Sequence, residues 1–188
     1  MPSTASAFGL RPAYHPSGVI RQEQGTITTG YSTGILQFAP VRIIADGSIA
    51  LGAAADRIIG AFMGVEWTDT DGKRRVSNQW TASTSGTSIV AYYTRDPAIV
   101  YEIQSSAAVV QADMGSQADW GTATTGNTTT GLSGVVLDAS TLTNSGNNGL
   151  RIIGVGKEPD NAWGDTYCNV LVEISEHQDM PDRAAYGS

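Results

Sequence analysis

The sequence predicts an all-β fold: a single β-barrel or sandwich-like domain with an extended N-terminal arm and long loops. Three observations point there. Short runs of β-branched and aromatic residues recur along the chain, and long amphipathic helical patterns are missing. Asp-Gly pairs stand between apolar runs at Asp46-Gly47 and Asp71-Gly72, where both residues tolerate the positive φ of a hairpin turn. Glycine occurs 22 times among abundant Thr and Ser, a composition that suits turns and strands better than helices.

The elements follow in chain order. AFGLRPAYHPSG, from Ala7 to Gly18, is apolar but has no period of 2 or 3.6. Pro12 and Pro16 exclude it from a central strand or a helix interior. It reads as part of an extended arm over 1–24, ahead of a β-domain at 25–178 and a tail at 179–188. PVRII and SIAL flank the first Asp-Gly turn. RIIGAFMGVEW, Arg57 to Trp67, is a long strand whose Gly60 and Gly64 signal a bulge or a close backbone approach. Such glycines help strands curl, which favours a barrel over a sandwich. RVSNQW follows the second turn, then TSIVAYYT and AIVYEIQ, separated by RDP. In AIVYEIQ, Ile99, Tyr101 and Ile103 alternate with Val100, Glu102 and Gln104, as in a half-buried strand. Gly115 to Gly134 reads as a long polar surface loop, with a helical turn possible across VVQADMGSQADW. LRIIGVG and YCNVLVEIS close the pattern, and in the latter Val170, Val172 and Ile174 share a face.

Charged residues make up only 15% of the chain, against roughly 25% in an average globular domain. With 40% hydrophobic residues this is not the composition of a disordered chain. It fits a domain whose exterior is partly covered by partners. Arg outnumbers Lys nine to two, the bias seen at interfaces, although base composition of the genome produces the same bias. A net charge of −7 disfavours a general nucleic-acid binder. Cys168 is alone, so no disulfide framework or cysteine zinc site is expected. No secretory pattern is visible, and no apolar run nears the length of about 18 residues that a membrane helix needs. The expectation is a soluble protein made in a cytoplasm.

The chain offers little chemistry. His15 and His177 lack a histidine at i+4, and no Walker loop, GxGxxG or GxSxG motif is present. A Ser/His/Asp triad stays open, because triads converge only in space. Asp69 to Gly72 resembles the start of a calcium loop, but Lys73, Arg74 and Arg75 follow it, so it reads as a turn. Asn127 to Thr129 fits a glycosylation pattern and reads as polar loop. Trp67 and Trp80 flank the second hairpin and suit cross-strand packing. Trp120 and Trp163 lie in polar stretches and are the candidates for exposure, as interface anchors or sugar platforms. The expectation is no enzymatic activity, no metal and no cofactor.

AFGLRPAYHPSG, GAFMGVEWTD, RRVSNQW, AYYTRDPAIVYEIQ, GSQADW and DNAWGDTYCNVLVEISEHQ together resemble tailed-bacteriophage head decoration, or cement, proteins. The resemblance runs from about Phe8 to His177. It implies a mostly β protein that binds the outside of an assembled capsid and reinforces it, often as a trimer. Its partners would then be the major capsid protein and its own copies, with no nucleic acid and no membrane, and its place the virion surface. On this reading Phe8, Leu10, Arg11, Pro12, Tyr14, His15 and Arg21 form a docking strap between molecules, the two arginines pairing with carboxylates across the contact. The plainer reading is an arm that covers a sheet edge of its own domain. The rival functions are a tail- or fibre-associated β-module binding host glycan through Trp120 or Trp163, and a β-barrel hydrolase with a dispersed triad.

Overall fold

The structure, a computed structural model, describes residues 4–54 and 56–181. Its strands are β1 (Arg11–Tyr14), β2 (Gln22–Gly25), β3 (Pro40–Ile43), β4 (Ile49–Leu51), β5 (Gly60–Asp69), β6 (Arg74–Ser77), β7 (Gly86–Thr94) and β8 (Val100–Gln104). After them come β9 (Gln117–Ala118), β10 (Gly126–Asn127), β11 (Leu132–Ser133), β12 (Leu150–Val155) and β13 (Asn169–Ile174). Helix among the described residues is limited to two 3-10 turns, Gln111–Asp113 and Ala139–Thr141. The fold is therefore all-β, as its sequence predicts.

Two antiparallel sheets carry the molecule. The first runs β1-β8-β13-β12-β9, and the second runs β2-β7-β5-β3-β4 with β6 also on β5. Both turns at Asp46-Gly47 and Asp71-Gly72 close hairpins, β3–β4 and β5–β6. Neither sheet closes on itself, so the barrel that the glycines of β5 suggested is not formed and the architecture is sandwich-like. Those glycines serve close approach as well as bulging. A Cβ on Gly60 would lie 1.9 Å from the Thr94 carbonyl oxygen, and one on Gly64 3.1 Å from that of Ser77. The pairing of β5 with β7 slips between Phe62 and Gly64.

Each sheet has its own core. Tyr101, Ile103, Ile152, Val170, Val172 and Ile174 lead the first, while Ile35, Val41, Phe62, Val65, Trp80 and Tyr93 lead the second. The stretch entering β5 serves both: Ile58 and Ala61 join the first core, Ile59 and Phe62 the second. The seam between them is polar. Thr94, the last residue of β7, accepts the Ala61 amide on Oγ1 at 2.8 Å and shares a hydrogen bond of the same length with the Tyr101 hydroxyl. Thr94 and Tyr101 are both fully buried. Burial also pushes the Tyr101 hydroxyl above the ordinary tyrosine range, so it stays neutral as a hydrogen-bonding group.

The polar stretch from Gly115 to Gly134 is less loop-like than its composition. Ser116, Gln117 and Ala118 are buried, and β9 and the β10–β11 hairpin lie within it. The possible helical turn amounts to the 3-10 turn at Gln111–Asp113.

The seam can be tested by substitution. Gly60→Ala forces a methyl into the Thr94 backbone and should cost upwards of about 3 kcal/mol, where Tyr101→Phe, losing one buried hydrogen bond, should cost about 1 kcal/mol. Urea unfolding midpoints measure both; a neutral Gly60→Ala would show that β5 and β7 do not approach as described, and a neutral Tyr101→Phe that the hydrogen bond from β7 to β8 does not join the sheets.

Candidate functional site

The site is built around the N-terminal segment. The Leu10 amide donates to the Phe38 carbonyl at 2.7 Å, and the Leu10 side chain is buried in the first core. Gly9 makes this possible. Its φ is +79°, and a Cβ there would sit 2.5 Å from the Phe38 oxygen and 2.8 Å from Ser133 Cβ. Further back, Gln104 holds the chain by its side-chain amide, accepting from the Ser6 amide at 2.8 Å and donating to the Thr4 carbonyl at 3.1 Å. β1 then pairs with β8, Arg11 opposite Glu102 and Pro12 opposite Tyr101.

The extended arm expected at 1–24 is thus corrected over its described part: β1 and β2 belong to the two sheets. Its prolines forbid a central strand but not an edge, and β1 is an edge strand. Leu10 is spent inside the molecule and has no surface for a partner. The segment also explains β8. All five of its residues are buried, including Glu102 and Gln104, which the alternation left half in solvent.

Arg11 is held from two sides. Its guanidinium lies 4.4 Å from the centre of the half-buried Phe8 ring and hydrogen-bonds the Glu102 carboxylate. Glu158, on the loop after β12, stands 4.0 Å from the same nitrogen. Burial and the neighbouring Glu158 carboxyl raise the Glu102 carboxyl above the usual range, while the hydrogen bond from Glu102 lowers Glu158.

Beyond β1 the chain turns outward. His15 Nδ1 accepts the Ser17 amide at 3.1 Å and lies 2.7 Å from Ser17 Oγ, while Nε2 faces Asp96 Oδ2 at 3.4 Å. The amide contact puts the lone pair on Nδ1 and the proton on Nε2, toward Asp96. A hollow of about 330 Å³ opens here, lined by His15, Ser17, Val19, Arg21 and Asp96. The order Ser-His-Asp is that of a nucleophile triad. However, a general base needs its lone pair for the hydroxyl, and this one is shared with the Ser17 backbone. Asp96 is half in solvent and also caps the Ala98 amide at 2.9 Å. The geometry is that of a hydrogen-bonded turn that presents Tyr14, Val19 and Arg21 outward. Tyr14 is 47% exposed and Val19 59%; Arg21 is exposed as well.

The tryptophans divide differently from their sequence context. Trp120 is buried, its indole N–H donates to the Gly52 carbonyl at 3.3 Å, and a Cβ on Gly149 would lie 2.1 Å from its ring. Its expected exposure is corrected: Gly149 is the small neighbour that lets the ring sink. Trp120 forms the floor of a cleft of about 550 Å³ with Tyr31, Leu51 and Thr122 among its walls. Trp163 is partly buried against the first core. Trp67 and Trp80 pack edge to face with ring centres 5.8 Å apart.

The remaining candidates are structural. Asp71 is bound by Lys73 and Arg75, and Asp69 by Arg75, so that turn neutralises its own carboxylates. Cys168 is buried with its sulfur 3.4 Å from Ser105 Oγ. His177 is buried, and its Nδ1 accepts the Asp179 amide.

Sequence reasoning found Arg11 and His15 but not their partners. Glu102 left one signal, a carboxylate in an otherwise apolar strand. Glu158 and Asp96 left none, because loops far apart in sequence bring them in, and Ser17, two residues from His15, is an ordinary turn serine in sequence.

Leu10→Ala should cost about 2–5 kcal/mol, the usual range for an aliphatic side chain lost from a core. Deleting 1–18 should be worse and unfold the domain at moderate temperature. Denaturant melts check both; an unchanged midpoint on deletion would return the segment to the status of a free arm.

Comparison with protein-family models, curated proteins and solved structures finds no match to this chain.

Proposed function

We propose that the protein is a structural module of a tailed-bacteriophage head, a decoration protein that binds the outer face of the assembled capsid shell and reinforces it. The observation that carries this reading is the set of resembling stretches, which span the chain from Phe8 to His177 and fall mainly on β1, β5, β6, β7, β8 and β13. The low charge, the preference for Arg over Lys and the net charge of −7 agree with a protein covered by neighbours on the outside of a shell.

The contact surface on this reading is the turn after β1. Tyr14, Val19 and Arg21 stand outward there, around the His15 hollow. It combines a tyrosine ring and a guanidinium, two of the side chains enriched among interface hot spots, beside the aliphatic Val19. Leu10, buried just before β1, anchors the segment that leads to it. Homotrimerisation belongs to the same proposal and rests on the resemblance.

Capsids assembled without the protein provide the test. Added protein should sediment with them and raise their melting temperature. Tyr14→Ser with Arg21→Glu should weaken that binding at least about tenfold, as loss of a contact worth about 1.4 kcal/mol does, without changing the melt of the free protein. Absence of binding to intact shells would refute the role, and full binding by the double variant would move the contact elsewhere.

A further inference from the structure

The Arg11 cluster has a property that neither folding nor capsid binding requires. Glu102 is 6% exposed and ends its side chain against Arg11 from β1 and Glu158 from the loop after β12. The two carboxyls crowd one point: a Cβ on Gly156 would lie 2.4 Å from Glu158 Oε2 and 2.8 Å from Glu102 Oε1. That loop is fixed to β13 by Asn161, which donates to the Gly156 and Asn169 carbonyls at 2.9 and 2.8 Å and accepts the Asn169 amide at 2.8 Å. From β13 itself the neighbours are Leu171, opposite Glu102 in the ladder, and Asn169, neither of which titrates. Of the loop's other charged residues, Lys157 and Asp160 are exposed, and the half-buried Asp165 accepts the Ala162 amide. The cluster is thus two carboxyls and one guanidinium.

We infer that Arg11, Glu102 and Glu158 form a proton-operated latch, which clamps β1 to β8 while one proton is shared between the two carboxyls and loosens when both are ionised. With one proton, the cluster is neutral: one carboxyl donates to the other, and Arg11 faces a single negative charge. Remove the proton and two like charges share one corner beside Gly156, one of them buried, with only one cation to offset them. Add a second proton and Arg11 loses its counter-charge.

The shifts agree with this order. Glu102 is raised, chiefly by burial, so its contribution to stability is present at acid pH and lost as the pH climbs through its raised value. Glu158 is lowered, chiefly by its hydrogen bond from Glu102, so its contribution is present above the ordinary glutamate value and lost as the pH falls through its lowered one. The latch is tightest between the two, around the ordinary glutamate value of about 4.3, and opens on the alkaline side. Opening frees the paired edge of β8, a surface able to accept another strand.

Hydrogen exchange of the full chain tests this, with rates corrected for intrinsic pH dependence and read at Leu10–Tyr14 and at 156–161. Between about pH 5 and about pH 8 the wild type should lose protection in both segments by about tenfold or more. Glu102→Gln, whose amide imitates the protonated acid toward Glu158, should hold protection constant over the same range. Glu158→Gln removes the second charge and should also flatten the profile, which keeps the test open if one variant folds poorly. A flat wild-type profile would overturn the latch, as would the same loss in both variants. Capsid binding is not read in this experiment, so its outcome is separate from that of the proposed role.

Discussion

One close approach organises this molecule. Within the second sheet, β5 at Gly60 lies against the Thr94 carbonyl of β7 with no room for a side-chain carbon. Thr94 then spends its hydroxyl on the Ala61 amide and the Tyr101 hydroxyl, joining the end of β7 directly to β8. Because β8 is fixed there, its far residues are fixed too. Tyr101 stands opposite Pro12, and Glu102 opposite Arg11. The placement of the N-terminal strand, and hence of everything it carries, follows from the seam.

The same chain of supports separates the inner and outer parts of the candidate site. Phe8, Leu10 and Arg11 tie the segment down, by ring stacking, core burial and an ion pair. Tyr14, Val19 and Arg21 project from the turn that follows. A contact surface on a loop gains affinity when the scaffold orders it beforehand, since less conformational entropy is lost on docking. Here the order comes from the edge strand and from the His15–Ser17 turn against Asp96.

Much of the fold was legible because its signals are local. The Asp-Gly turns sit where the hairpins close, and Val170, Val172 and Ile174 do share a buried face. Gly60 was legible as a close approach, but what it approached was not, since Thr94 lies in another strand. The opening segment differs from the extended arm its composition suggests. Proline forbids a central strand, and an irregular apolar run without periodicity looks like an arm; an edge strand satisfies both facts and needs only a neighbour with a free ladder. Trp120 sat among polar residues and was placed outside, although Gly149, 29 positions later, makes the space for its ring. Partners brought together from distant loops, such as Glu102 with Glu158, carry no mark in a single sequence.

The central claim is that the N-terminal segment completes its own domain, so that only its outward turn is left for a partner. It is tested most directly by isotope-filtered proton contacts in an equimolar mixture of labelled and unlabelled protein. The account predicts that contacts between Leu10 and Phe38, and across Arg11 and Glu102, arise within one chain. Finding those contacts between a labelled and an unlabelled chain would contradict it, and would make the segment an exchanged strap between molecules.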